Sequence, residues 1–128
     1  MARKPKFGMF NAPTRQAKPE EPPAPRRTEF EATLCEAIRR RLRAILKYED
    51  DALEREFEPA AVYWSETGRV CASGVQVKNG NKPMEASRPH NFEVGLMRSV
   101  RLSDVSFVPD PRFDRNNPKY ARGIICSV

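Results

Sequence analysis

The first clear pattern in the chain is that of an amphipathic helix, which we predict over residues 29–43. Its apolar residues recur every three or four positions, the spacing that places side chains on one face of a helix. They are Leu34, Ile38, Leu42 and Ile45. Thr28 and Glu31 match a capping box, in which two side chains accept hydrogen bonds from the first unpaired N–H groups of the helix. Residues 44–48 are then expected to be extended.

After the acidic residues 49–51, the spacing of apolar residues changes from helical to alternating, which is typical of β-strands. Strands are predicted over residues 57–64, 70–77, 92–96, 100–107 and 124–128. Pro59 and Gly74 indicate bulges or bends, and Gly68 and Gly80 indicate hairpin turns. The order of these elements predicts an α+β, mostly β fold, in which an N-terminal helix packs on a small five-stranded β-barrel.

Residues 1–27 have a different composition and are predicted to form a disordered, basic, proline-rich tail. They contain six prolines and few large apolar residues, so they cannot bury enough surface to offset the entropy lost on ordering. Their seven Lys/Arg and two Glu give the tail a net charge of +5, which leaves +1 for residues 28–128. Any affinity of the folded domain for anions must therefore come from local clusters of charge.

The cysteines and the lack of export signals predict a soluble, cytoplasmic protein. Cys35, Cys71 and Cys126 are odd in number and far apart, so we expect free, buried thiols in a reducing compartment. No Cys-x-x-Cys pair is present and the chain has a single histidine, so neither a metal nor another cofactor is expected. The N-terminus lacks the apolar region of a secretory signal. No apolar run approaches the roughly 18 residues that would span a membrane.

Arg39, Arg40 and Arg43 lie opposite the apolar stripe of the predicted helix and are candidates for contact with nucleic-acid phosphates. An alternative is that they complement the dipole at the helix C-terminus, while Arg39 and Arg40 form ion pairs with Glu36. Both interpretations remain open at this point.

Residues 34–128 resemble the WYL domain family, in particular the short bacterial proteins that consist of little more than that module. The matching features are an apolar strand that ends in Tyr48, the pattern Arg55-x-Phe57-x-Pro59, a strand headed by Gly68, the segment 98–105 and the tail 113–120. The resemblance implies an SH3/Sm-like β-barrel. It also implies a role in sensing nucleotides or nucleic acids, often as the regulatory part of bacterial transcription factors and defence systems.

The resemblance carries Tyr48, Arg55 and Arg101 over as ligand contacts, and Arg98 lies in the same matching segment as Arg101. Each has a structural alternative. Tyr48 is equally suited to the core at a strand end. Arg55 is placed to pair with the acidic turn 49–51, and Arg101 to pair with Glu93. The chain departs from the family at Val70-Cys71-Ala72, Val100 and Asp104, where the family has its Trp-Tyr-Leu run, an aromatic residue and an arginine.

The sequence contains no catalytic motif that we can identify, and we do not expect an enzyme. The predicted function is that of a non-catalytic regulatory or sensor module, which binds single-stranded nucleic acid or a nucleotide-like anion and acts with a protein partner in transcription regulation or defence. The alternative is a protein–protein interaction module with a proline-rich tethering tail, no nucleic-acid binding, and an exposed aromatic such as Trp64 as a contact. No membrane partner is expected, and the oligomeric state is not predicted.

Overall fold

The computed structural model describes residues 22–128, and for residues 85–88 the backbone only. One helix precedes six strands: α1 (Thr28–Arg40), β1 (Leu42–Tyr48), β2 (Arg55–Trp64), β3 (Val70–Asn79), β4 (Lys82–Glu93), β5 (Met97–Ser106) and β6 (Ile124–Ser127). The predicted mostly β fold with one N-terminal helix is confirmed. The predicted number of five strands is wrong, because the segment before the acidic turn forms a full strand of the sheet, β1.

The strands form one antiparallel sheet in the order β4-β3-β2-β1-β5, with β6 added beside β2. Strand β2 is long enough to have two partners on one edge: its first residues pair with β1 and its residues 61–63 pair with β6. Its other edge pairs with β3 along the whole strand. Among residues 22–128 no ladder joins β4 to β5, so the sheet is open and the predicted closed barrel is not confirmed.

The two ends of α1 differ from the prediction. At the start, Arg27 is the N-cap and no side chain caps the helix; Glu31 instead accepts hydrogen bonds from the Arg26 guanidinium at 3.0 and 2.6 Å. At the end, Arg41 adopts a left-handed conformation with φ of 57°, and its N–H turns back to helix carbonyls. The helix therefore stops at Arg40, and Leu42, which matched the helical spacing, belongs to β1.

The main core lies between α1 and one face of the sheet. Leu34, Ala37 and Ile38 of the helix are fully buried against Ala44, Leu46, Phe57 and Val62. A register shift between Pro59 and Ala61, at the predicted bulge, changes which residues of β2 face this core. As a result Phe57 and Val62 lie on the same face of the sheet. Strict alternation along the strand would put these two residues on opposite faces.

Gly74 lies opposite this bulge, paired with Pro59. A β-carbon at Gly74 would lie 2.2 Å from the carbonyl oxygen of Glu58 and 2.8 Å from the Phe57 ring, so only glycine fits there without a shift of the backbone. At the predicted bend, β2 and β3 thus approach too closely for a side chain on β3.

The last residues of the predicted tail lie against the domain. The Ala24 N–H donates to the Glu93 carboxylate at 2.9 Å, and Ala24 and Pro25 cover Gly95. The Arg26 guanidinium lies 4.8 Å from the centroid of the Trp64 ring. Trp64, predicted as an exposed aromatic, is therefore half-buried and covered. The predicted disorder of residues 1–21 lies outside the described residues.

Two of the three cysteines form a disulfide, so the prediction of three free thiols is wrong. Cys35 of α1 and Cys126 of β6 are bonded across 91 residues, while Cys71 is free and half-buried. The two cysteines meet because β6 pairs with β2 beneath the helix. Their separation in the sequence gives no indication of this proximity. The cysteines consequently give no support for a reducing compartment. Within residues 22–128, no helix has the length and apolar character needed to cross a membrane.

Candidate functional site

Tyr48 and Arg55, the two strongest candidates from the resemblance, meet at Phe92. The Tyr48 ring lies 4.9 Å from the Phe92 ring, edge to face, and the Arg55 guanidinium carbon lies 5.7 Å from the same ring. The Tyr48 hydroxyl accepts the N–H of Glu93 at 3.1 Å, and burial raises the pKa of Tyr48. Tyr48 is thus a rim residue of the core whose hydroxyl already has a partner.

Arg55 is also engaged within the domain. Its guanidinium forms two hydrogen bonds with the Asp51 carboxylate, at 2.5 and 3.2 Å, and a third with the buried Gln76 amide oxygen at 3.2 Å. The pKa of Asp51 is lowered, chiefly by the hydrogen bond from Arg55. The alternative in which Arg55 pairs with the acidic turn is confirmed. Because the Asp51 carboxylate neutralises the positive charge of Arg55, less of that charge is available to attract an anionic ligand.

The helix arginines form ion pairs with Glu36, as the alternative interpretation predicted. Arg39 and Arg40 lie 2.5 and 3.8 Å from its carboxylate. Each of them is about one helical turn from Glu36 on the exposed face of α1. Exposed pairs of this kind contribute little to stability because water screens them.

Arg43 is not on the helix, where it was predicted, but on β1. Its guanidinium bridges Glu56 and Glu58 of the neighbouring strand, with N–O distances of 2.9 Å to each. Lys78 also lies 3.9 Å from Glu56, so two carboxylates balance two cations here and no excess positive charge remains for an anion.

Arg101 and Arg98 lie on β5. Arg101 pairs with Glu54 at 3.0 Å rather than with Glu93, which binds Arg69 instead. Arg98 donates to the carbonyl oxygen of Glu49 at 2.9 Å. The seven predicted residues are thus spread over α1, β1, β2 and β5 and form no single cluster: Tyr48 and Arg55 share Phe92, and Arg39 and Arg40 share Glu36.

A groove of about 240 Å³ lies elsewhere, on the face of the sheet opposite α1. Tyr63 and Ser73 alternate along β2 and β3 with core residues Val62 and Ala72, so they face away from the helix. The other side of the groove is formed by the segment 107–120 between β5 and β6. We call this surface the β2–β3 groove.

Tyr120 attaches the segment 107–120 to the sheet. Its hydroxyl lies 2.7 Å from the Ser73 hydroxyl in a buried hydrogen bond, and its ring packs edge to face on Tyr63 at 4.7 Å. Phe113 packs on Tyr120 at 5.7 Å. These contacts form one side of the groove, whose apolar lining residues include the half-buried Phe107 and Phe113.

Lys119, a half-buried cation, is among the residues that line this groove. Its ammonium group donates to the side-chain oxygen of Asn91 at 3.0 Å and lies 5.7 and 5.3 Å from the ring centroids of Tyr63 and Tyr120. The Tyr63 hydroxyl donates to the same Asn91 oxygen at 3.0 Å. Desolvation lowers the pKa of Lys119 and raises that of Tyr63. No carboxylate of the described residues lies within ion-pair distance of Lys119.

The other charged residues at the groove have partners or face solvent. Glu58 binds Arg43, and Asp110 binds Arg112 at 2.7 Å. Asp114 is exposed and accepts the N–H of Asn116. Lys119 is therefore the charge of the groove that is both desolvated and without a counter-ion in the described part of the chain.

Sequence reasoning did not select Lys119, although Asn117-Pro118-Lys119-Tyr120 was among the matching motifs. The motif forms a 3₁₀ turn that orients Lys119 and Tyr120 onto the sheet. A lysine next to a tyrosine in the sequence does not by itself indicate a binding site. The environment of Lys119 forms only in the folded chain, where Tyr63 of β2 and Asn91 of β4 lie beside it. In comparisons with protein-family models, with curated proteins and with solved structures, no match to this chain was found.

Proposed function

We propose that the domain is a non-catalytic sensor module that binds a nucleotide-like anionic ligand in the β2–β3 groove. The observation that carries this proposal is the Lys119 ammonium group, held half-buried against two tyrosine rings without a carboxylate. Removing a cation from water is unfavourable unless an anion compensates it. A phosphate or carboxylate bound at Lys119 would supply that compensation.

The apolar lining explains why the ligand would also have an aromatic or other flat apolar part. Phe107 and Phe113 are half-buried in the groove and present ring surface on which a base can stack. The volume of about 240 Å³ lies below the range of about 300–1,000 Å³ typical of drug-sized ligands. This size favours one nucleotide unit rather than an extended strand.

The WYL resemblance supports a regulatory role for such binding. A helix followed by a strongly bent antiparallel sheet is compatible with an SH3/Sm-like arrangement, and we include that arrangement in the proposal. On this basis the domain acts with a partner in bacterial transcription regulation or defence. The arginines that the resemblance selected contribute less than Lys119, because their charges are largely compensated within the domain.

The test is a titration of the full-length chain and of Lys119→Met with mononucleotides and short single-stranded oligonucleotides at two salt concentrations. A charge-assisted hydrogen bond contributes about 1.5–3 kcal/mol, so we expect the variant to bind roughly 10- to 150-fold more weakly. Arg39→Gln is the matched control, because Arg39 is exposed and paired with Glu36; its affinity should equal that of the wild type.

Equal affinity of Lys119→Met and wild type would exclude the β2–β3 groove as the site. No binding of any nucleotide at low salt would reject the proposed function and leave the protein-interaction module as the better hypothesis.

The affinity is also expected to fall as pH rises, because the anion requires the protonated form of Lys119. The pKa of Lys119 in the free protein is lowered by desolvation. The affinity should therefore begin to fall at a pH below the ordinary lysine pKa of about 10.4. A bound anion raises that pKa, so binding takes up a proton in the alkaline range. Lys119→Arg keeps its charge above pH 12, and its binding should show no such fall. A flat wild-type profile up to pH 10 would contradict the role of Lys119.

A further inference from the structure

Strand β6 is the least anchored element of the sheet. It has four residues, and its ladder pairs only with residues 61–63 of β2. Beyond the ladder, the Val128 N–H donates to the Ala60 carbonyl and the Trp64 N–H donates to the Gly123 carbonyl, both at 2.9 Å. Ile125 is 40% exposed. The disulfide from Cys126 to Cys35 is the covalent attachment that fixes this strand beneath α1.

The position of β6 also sets one side of the β2–β3 groove. The segment that carries Phe113, Lys119 and Tyr120 runs directly into β6, and Val128 at its far end lines the groove as well. At its other end the segment leaves β5, where the Phe107 N–H donates to the Arg41 carbonyl at 2.9 Å. Release of β6 would leave this segment held by β5, by the Tyr120 contacts with Ser73 and Tyr63, and by the hydrogen bond from Lys119 to Asn91.

Both bonded cysteines are half-buried and pack at the edge of the main core, rather than being fully enclosed in it. Cys71, the third cysteine, lies on β3 and is packed with the second core cluster of Tyr63 and Tyr120. Burial is the main cause that raises the pKa of the Cys71 thiol, which lowers its thiolate fraction and its reactivity. The bonded pair, rather than Cys71, is the redox-responsive group.

We propose that Cys35–Cys126 is a thiol–disulfide exchange site whose reduction releases β6 and loosens the β2–β3 groove. A dithiol reductant attacks one sulfur as its thiolate, forms a mixed disulfide and expels the other cysteine as a thiolate. Its second thiol then displaces the first cysteine, so the reductant leaves as a disulfide and two electrons pass to the protein. The two cysteines end as thiols after taking up two protons. The effect on ligand affinity rests on the proposed function, but the release of β6 does not.

The experiment is hydrogen exchange of the full-length chain, followed by mass spectrometry, with and without dithiothreitol. At labelling times too short for global unfolding to contribute, we expect peptides from residues 108–128 to exchange about tenfold faster or more after reduction, while peptides from β3 and β4 are unchanged. A thiol titration of the native protein in parallel should count one free cysteine before reduction and three after. Cys71→Ala is the matched control and should respond to dithiothreitol as the wild type does.

A second variant, Cys126→Ala, should show the fast exchange in both conditions and no response to dithiothreitol. Three reactive thiols before reduction, identical exchange with and without dithiothreitol, or a uniform acceleration over the whole chain would each overturn the proposal. If exchange responds as expected but no nucleotide binds, only the proposed function fails. If nucleotides bind but residues 108–128 do not respond, only the exchange site fails.

Discussion

Replacing Cys35 and Cys126 together by alanine is expected to lower the free energy of unfolding by about 3–5 kcal/mol. The disulfide closes a loop across 91 residues, and a loop of that size restricts the unfolded chain strongly. The loss of chain entropy in the unfolded state gives a stabilisation of about 4–5 kcal/mol for a loop of this size. Strain in the folded state reduces this value. Since small domains are stable by about 5–15 kcal/mol, the variant remains folded but loses a large part of its stability.

Chemical denaturation of the oxidised wild type and of the double variant measures this difference. The corresponding fall in Tm is about 15–30 °C for a domain of this size. The wild type in dithiothreitol should approach the double variant, whereas Cys71→Ala should stay within about 1 kcal/mol of wild type. A loss below about 1 kcal/mol in the double variant would contradict the presence of the Cys35–Cys126 bond in the native chain.

Phe57→Ala is expected to cost about 3–5 kcal/mol, the range for truncating a fully buried aromatic residue. Phe57 has no exposed surface, and its ring packs edge to face on Phe92 at 5.1 Å. The same ring lies against Gly74, where a β-carbon would come within 2.8 Å of it. Truncation therefore leaves a cavity between α1 and the bend of the sheet, which the glycine cannot fill.

Phe113→Ala is the matched control for this second prediction, because Phe113 is half-buried at the β2–β3 groove. Its loss of stability should be clearly smaller, while its effect on ligand affinity should be larger. Urea denaturation of both variants, with equal m-values, provides the comparison. A smaller loss for Phe57→Ala than for Phe113→Ala would show that the core is not centred on Phe57.

Local chemistry accounts for the features that the sequence predicted well. Gly68 and Gly80 adopt positive φ in the two hairpin turns, and a register shift follows Pro59. The final strand was also predicted from its apolar run and forms β6. Each of these depends on one or two neighbouring residues, so a pattern along the chain is enough to indicate it.

The features that were missed depend on residues far apart in the chain. The end of α1 at Arg41 was missed because Leu42 continues the helical spacing, while its place is set by pairing with Ser106 of β5. The disulfide joins residues that β6 brings beneath the helix, and whether the sheet closes depends on its two edge strands. The environment of Lys119 arises only when three separate segments meet, so the lysine could not be distinguished from a surface residue.

The disulfide between the helix and the last strand also has a consequence for biosynthesis. Cys35 leaves the ribosome 91 residues before Cys126, a delay of roughly 5–20 s at synthesis rates of about 5–20 residues per second. Cys71 emerges during that interval and is the first thiol that Cys35 can meet. An oxidising compartment would therefore favour a Cys35–Cys71 bridge on the nascent chain. The native pairing requires either that both thiols stay reduced until β6 is made or that an isomerase corrects the early bridge.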